Sequence, residues 1–300
     1  MGGGEMAEML PLIYDCDNTL GIPDCDVDDG LTLLYLLGSP GVKLLAVTCS
    51  FGNSTQEKVF HNTVRLLREW GREDILVLRG GANPANRRSP AAEFLADAAR
   101  RYPDRLAVLA TGSLTNLLGA ESYDPDFFSR VARISLMGGV TGPLLVGGRP
   151  IAELNCSVDA QAAHGVLTRG REVLIATAQN CLDSFFPREE YMARLALSRA
   201  PLARYLEREL AGWFQWNRER WGLSGFVNWD VMAAAQLLHP EYFHWEAAEI
   251  TPTVRSLGQG QLLADGAPRR AILPRIRDRA AYAEHVYSTI LAARVRMPGV

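Results

Sequence analysis

Short apolar runs alternate along this chain with longer segments of helical period, and that alternation narrows the fold more than any other feature. Residues 10–14, 44–48, 75–78, 106–110, 134–137 and 173–176 read as buried strands. Between them, residues 31–37, 55–70, 90–101 and 160–167 space their apolar side chains as one face of a helix does. Strand–helix alternation at this spacing predicts an α/β domain with a mostly parallel central sheet flanked by helices. Ligands of such sheets gather beyond the carboxyl ends of the strands. The residues falling there are DCD at 15–17, SFGN at 50–53, ATGSLTN at 110–116 and MGG at 137–139. Beyond Ser184 the chain turns more helical and carries an aromatic segment, WFQWNRERWGLSGFVNWD, at 213–230. With no internal repeat or obvious linker, one domain over residues 1–300 is expected.

Composition removes several function classes. A chain of 300 residues with 48% hydrophobic and 22% charged residues can bury a large core. A formal charge of -3 gives no general pull toward nucleic acid or an acidic membrane. The five cysteines are odd in number and lack CxxC pairing, which argues against a disulfide framework or a zinc site. The first residues show no basic segment followed by an apolar stretch, and no run reaches transmembrane length. A soluble, cytoplasmic protein without membrane or nucleic-acid partners is the expectation.

The chemistry is signalled by aspartate. Six aspartates (15, 17, 24, 26, 28 and 29) lie within fifteen residues, and carboxylates held that close repel unless a cation or a proton sits between them. A solvated loop capping a helix explains Asp28 and Asp29, but not Asp15 and Asp17, which directly follow an apolar strand. An EF-hand fails, because Asp29 stands where the loop needs Gly and Tyr35 where it needs Glu. The stretch LIYDCDNTL resembles the first motif of haloacid-dehalogenase-like phosphatases, which implies Asp15 as nucleophile and Asp17 as acid/base. Such a phosphatase needs a later lysine, and the chain's lysines, Lys43 and Lys58, come too early.

A longer resemblance accounts for more of the chain. DCD…DVDDGLTLLYLL, VTCSFGNSTQEKVFHNTVRLL, ATGSLTNL, ISLMGG, AELNCSVDAQAA and NWDVMAAA occur in this order. Together they resemble the inosine-uridine nucleoside hydrolase family, whose opening pattern is DxDPGxDDAxAL. The resemblance implies a Rossmann-like nucleoside hydrolase fold and Ca2+-dependent hydrolysis of the N-glycosidic bond of a ribonucleoside, releasing base and ribose. It implies that Asp17 is general base and metal ligand, that Asp29 is a bidentate ligand, that Thr111 offers its backbone carbonyl, and that Asp230 closes the shell. Thr111's side chain is then of little account. Asp28 would bind a ribose hydroxyl or support the site; Asn53, Glu153 and Asn155 would bind ribose, with Met137 as the apolar contact beneath the sugar. Read without a metal, Asp230 is a helix N-cap before Val231, and Asn53 after Gly52 is a turn residue.

Departures from the pattern carry information. The family's Pro-Gly is Asn18-Thr19 here, followed by a longer loop. That leaves Asp17 and Asp26 as alternatives for the first metal carboxylate, with Asp17 preferred because it ends a strand directly. A His-Gly stretch after the third strand is absent, and Gly148-Arg149 replaces the asparagine expected before AELN. Trp229 stands where many members have His, a candidate acid for the departing base. Trp cannot supply that proton, but its face can stack on a base, as in the purine-preferring branch, so a purine nucleoside is expected. Trp213, Trp216 and Trp221 form either a second wall or, as aromatics at helical spacing more often do, core. The fold's resemblance also implies a homo-oligomer, dimer or tetramer. A non-catalytic nucleoside-binding protein is the alternative from another class.

Overall fold

The structure is a computed structural model that describes residues 9–297. Eight strands form the central sheet: β1 Leu10–Cys16, β2 Val42–Cys49, β3 Val77–Arg79, β4 Ala107–Ala110, β5 Arg133–Met137, β6 Val173–Ala176, β7 Ala247–Ile250 and β8 Arg269–Ile272. Their order across the sheet is β7-β8-β6-β5-β4-β1-β2-β3. Every neighbouring pair is parallel except β7–β8, an antiparallel edge. Side chains alternate between two cores. Leu12, Tyr14, Val47, Leu109 and Leu174 pack on one face, while Ile13, Val108, Leu136 and Ile175 pack on the other. Burial on both faces is why these strands read as unbroken apolar runs and not as alternating ones.

The principal helices are α1 Asp28–Gly38, α2 Gln56–Glu69, α3 Pro90–Arg101, α4 Thr115–Glu121, α5 Ala160–Arg169, α6 Pro201–Trp221, α7 Trp229–Leu238 and α8 Arg279–Leu291. Local chemistry sets their ends. Thr55 and Ser89 accept backbone N–H bonds at the starts of α2 and α3, and α6 stops at Gly222, whose φ is +69°. Helices α1 and α7 are buried on nearly every side, which fits their almost wholly apolar sequences. No helix among the described residues is long and apolar enough to cross a membrane.

Three details differ from the sequence expectations. Helix α1 begins at Asp28, earlier than residue 31, because its first turn accommodates the carboxylates of Asp28 and Asp29. The third strand is displaced to Val77–Arg79. The β7–β8 edge was not foreseen; its short strands carry exposed Arg269 and Arg270, a charged edge instead of an apolar run.

This topology fixes where a site can form. From β1 the chain moves outward through β2 and β3, then returns to β4 on the other side of β1 and proceeds through β5 and β6. The crevice beyond the carboxyl ends of β1 and β4 is therefore the switch point of the sheet. The strand ends are stitched together there: Thr111 N–H donates to the Asp15 carbonyl at 2.9 Å and Ser50 N–H to the Cys16 carbonyl at 2.8 Å.

Candidate active site

β1 delivers two carboxylates with different fates. Asp15 is fully buried, and its Oδ2 accepts from the Thr48 hydroxyl and from Asn116 Nδ2, tying β1 to β2 and α4. Burial pushes its carboxyl up to about 7. Those hydrogen bonds make Asp15 a brace between strand ends and not the nucleophile of the phosphatase reading. Asp17 is also fully buried, but adjoins the carboxyl of Asp29.

Two helix N-termini supply the other acids. Asp28 and Asp29 occupy the first turn of α1, and Asp230 the first turn of α7. Asp230 is not the cap of its helix, since Asn228 holds that position. Carboxylate oxygens of Asp28, Asp29 and Asp230 all lie within 4.8 Å of one another. Asp17, expected among the ligands, stands outside that tight trio, while Asp28 is within it. Asp26, on the inserted loop, accepts N–H bonds from Val27 at 2.7 Å and Asp28 at 3.3 Å, capping the start of α1.

The surroundings hold these acids with neutral donors. Asp29 Oδ1 accepts from the Thr111 hydroxyl at 2.7 Å and from the Tyr14 hydroxyl at 3.2 Å. Thr111's side chain therefore matters, contrary to the sequence expectation, because its hydroxyl orients Asp29. Asn155 Nδ2 donates to the Thr111 carbonyl at 2.9 Å and the Met137 carbonyl at 3.1 Å. Asn155 thus braces the ends of β4 and β5 and keeps only its Oδ1 for a ligand. Glu153 is anchored similarly: Oε1 accepts from Cys156 N–H at 2.8 Å and Oε2 from Ser157 N–H at 3.2 Å. Burial raises the Glu153 carboxyl above its ordinary value, and these bonds oppose the rise.

Electrostatics here point one way. Burial raises the carboxyls of Asp17, Asp28, Asp29 and Asp230, and pushes Asp26 up to about 7. Mutual repulsion adds to the rise, most widely at Asp230, which feels Asp28, Asp29, Asp17 and Asp26. What offsets it for Asp29 is the adjoining Asp17 carboxyl and hydrogen bonding from the Thr111 and Tyr14 hydroxyls, none of them a cation. Asp29 Oδ2 is buried without any hydrogen-bond partner. A divalent cation fits these observations: it would complete the orphaned oxygen, remove the repulsion and reverse the upward shifts. The donors are all oxygen, from Asp28, Asp29 and Asp230, which suits a hard ion.

Above the acids opens a cavity of about 550 Å³. Met137, Glu153, Asn155, Asn53, Asp26 and Asp28 are among the residues that line it. The facing wall is aromatic: Trp213, Trp216 and Trp221 from α6 and Trp229 from α7. Trp213 and Trp216 are stacked at 4.7 Å with 14° between their planes. Asn217 and Arg220 line the same wall; the positions 213, 216, 217 and 220 share one face of a helix. Of the tryptophans that sequence alone leaves between core and wall, Trp216 and Trp221 are on the wall, while Trp213 lines the cavity and also belongs to the buried core. Tyr14, Asn217 and Arg220 were not anticipated; only Tyr14 left a trace, as a hydroxyl inside an otherwise apolar run.

Strand ends, converging buried acids and an aromatic compartment thus meet at one end of the sheet. The chain belongs to the inosine-uridine preferring nucleoside hydrolase family, whose sequence model matches residues 12–286. It is accordingly an N-glycosidic hydrolase with a nucleoside substrate. The chain is 27% identical over 299 residues to the probable uridine nucleosidase 1 of Oryza sativa subsp. japonica, covering 88% of each protein. It is 28% identical over 262 residues to the pyrimidine-specific ribonucleoside hydrolase RihA of Salmonella newport, covering 78% of this chain and 81% of that one. A solved plant nucleoside hydrolase, PpNRh1, superposes with a TM-score of 0.82 at 20% identity, covering 94% of this chain and 99% of that one.

Proposed function

We propose that this enzyme cleaves the N-glycosidic bond of ribonucleosides with a bound calcium ion, favours purine nucleosides, and releases free base and ribose. The observation that carries the reading is the convergence of Asp28, Asp29 and Asp230, with Asp17 adjoining them, beneath a wall of four tryptophans. When bound, calcium would acidify and orient a water and gather vicinal ribose hydroxyls. Asp28, Asp29, Asp230 and the Thr111 carbonyl would hold it. Asp17 takes the proton from the attacking water at a carboxylate oxygen, because it adjoins Asp29 without joining the trio, whereas Asp26, the other neighbouring acid, is engaged by the backbone N–H groups of Val27 and Asp28. Glu153 accepts hydrogen bonds from sugar hydroxyls through lone pairs its backbone bonds leave unused, and Asn155 does so through Oδ1. Met137 packs against the sugar's apolar face.

The departing base lies against Trp229 and the α6 tryptophans. Stacking needs no match of hydrogen-bonding edges, and the larger purine ring system gains more from it. A pyrimidine preference is the second reading, favoured by the substrates named for the rice and Salmonella relatives. Initial rates of base release from inosine, guanosine, adenosine, uridine and cytidine, for wild type and Trp229→Ala, separate the two. A kcat/KM higher for purines, falling more for purines than for pyrimidines in the variant, supports the proposal. Higher uridine and cytidine turnover, untouched by Trp229→Ala, selects the pyrimidine reading.

A further inference from the structure

We propose that Asn53 is a positioning residue that sets the carboxylate plane of Asp17, in a cradle completed by Gly52 and Gly112. The inference rests on the reading of Asp17 as the base, and it replaces the expectation that Asn53 is chiefly a ribose contact. Asn53 addresses both oxygens of Asp17: its backbone N–H donates to Oδ2 and its Nδ2 to Oδ1 at 3.3 Å. Two donors on one residue, aimed at the two oxygens of one carboxylate, fix its rotation as well as its place. With Nδ2 so engaged, only Oδ1 of Asn53 remains for a sugar hydroxyl.

The backbone around Asp17 is shaped to the same end. A Cβ built on Gly52 would fall onto Asp17 Oδ2, far inside van der Waals contact. A Cβ on Gly112 would strike the Ser50 hydroxyl and approach Asp17 Cβ at 3.1 Å. Any side chain at either position would push the carboxylate or its strand. The turn after β2 and the turn after β4 are held together around it, with Ser113 N–H donating to the Phe51 carbonyl at 3.3 Å. The cation trio, by contrast, is set by the N-termini of α1 and α7, and none of its carboxylates is among the atoms nearest to either glycine. Aim of the base and assembly of the cation site are therefore built by different elements, so one can be damaged apart from the other.

Steady-state kinetics of Asn53→Ala, Asn53→Asp and Gly52→Ala test this, with Gly212→Ala as a control whose Cβ meets nothing within 4 Å. A misaimed base lowers turnover by up to about 10²-fold per ångström of displacement. Asn53→Ala should lower kcat about 10- to 100-fold while KM moves less than about threefold. Asn53→Asp should be worse than Asn53→Ala, since it sets a second carboxylate against Asp17. A pure sugar contact predicts the reverse, because an aspartate can still accept from a hydroxyl. Gly52→Ala should fall at least as far as Asn53→Ala, and Gly212→Ala should match wild type. A raised KM with unchanged kcat in Asn53→Ala, or Asn53→Asp at or above Asn53→Ala, overturns the proposal. Crystal structures of wild type and Asn53→Ala give a readout independent of turnover: the Asp17 carboxylate should rotate or split between rotamers, and an unmoved carboxylate also overturns it. Absence of base release by wild type from every ribonucleoside would instead sink the proposed activity, leaving the crystallographic comparison to decide the cradle.

Discussion

The floor and the wall of the cavity are built on opposite principles. The floor gathers its acids from three places: Asp17 just beyond β1, Asp28 and Asp29 from α1, and Asp230 from α7, with Thr111 beyond β4. Each is buried and held by specific hydrogen bonds or neighbouring acids. Most of the wall, Trp213, Trp216, Trp221, Asn217 and Arg220, comes from the single helix α6, which presents one of its faces to the cavity, and only Trp229 comes from α7. A floor assembled from several elements tolerates little displacement, because its carboxylates are placed by a strand end and two helix N-termini and repel without their counter-charge. A wall carried mostly by one helix can change residue by residue without disturbing the sheet. Chemistry should therefore be fixed by the floor and base preference by the wall.

Substitutions that respect this division should differ sharply in size. Asp17→Ala should cost the most, about 10²- to 10⁴-fold in kcat, the range for loss of a general base; nucleoside turnover measures it, and retention of more than a tenth of wild-type rate would move the base elsewhere. Next comes cation binding as a function of pH. The carboxyls of Asp28, Asp29 and Asp230 are raised by burial, and a cation must displace their protons. The calcium concentration giving half-maximal activity should rise as pH falls. A flat dependence would mean that these groups are not the ligands.

Wall substitutions should act more gently and selectively. Trp216→Ala should lower purine kcat/KM by about tenfold, within the roughly 1–3 kcal/mol that one aromatic platform gives a stacked base, with pyrimidines less affected. An equal loss for all bases would return Trp216 to a packing role. The smallest effect is expected far from the cavity, at the other ends of α1 and α7. There the His285 ring accepts or donates with the Tyr35 hydroxyl at 2.8 Å and packs against His239 and Tyr242. Burial, then His239, pushes His285 down to about 4, while Glu241 opposes the fall. A histidine depressed in the fold contributes stability above its unfolded value, near 6.5, and loses it as pH falls toward 4. His285→Gln should therefore flatten the decline of Tm between pH 7 and pH 4.5; an unchanged slope would assign acid sensitivity to the carboxylates alone.

The same contrast explains what could be read from the chain. Asp15, Asp17, Asp28 and Asp29 sit in one short stretch after an apolar strand, so clustering itself announced a charged site. Asp230 was reachable only through its motif, because topology, not sequence distance, carries α7 to α1. Asn53 and Asn155 were expected to be sugar ligands. Whether an amide faces a sugar or braces a neighbouring group depends on three-dimensional partners, and both spend Nδ2 on the protein. The tryptophans of α6 have the spacing of a core stripe, and nothing local distinguishes an apolar face turned to a cavity from one turned to the interior. The β7–β8 edge was hidden by its arginines.

One measurement tests most directly whether the floor is a calcium-dependent glycosidic centre. Purified enzyme is stripped with a chelator and base release from inosine and uridine is followed as calcium, or magnesium, is returned. Activity should vanish on stripping and recover with calcium at least as fully as with magnesium, with free base and ribose appearing in equal amounts. Full activity in the stripped enzyme, with its metal content verified as nil, would contradict the reading of the floor as a cation site.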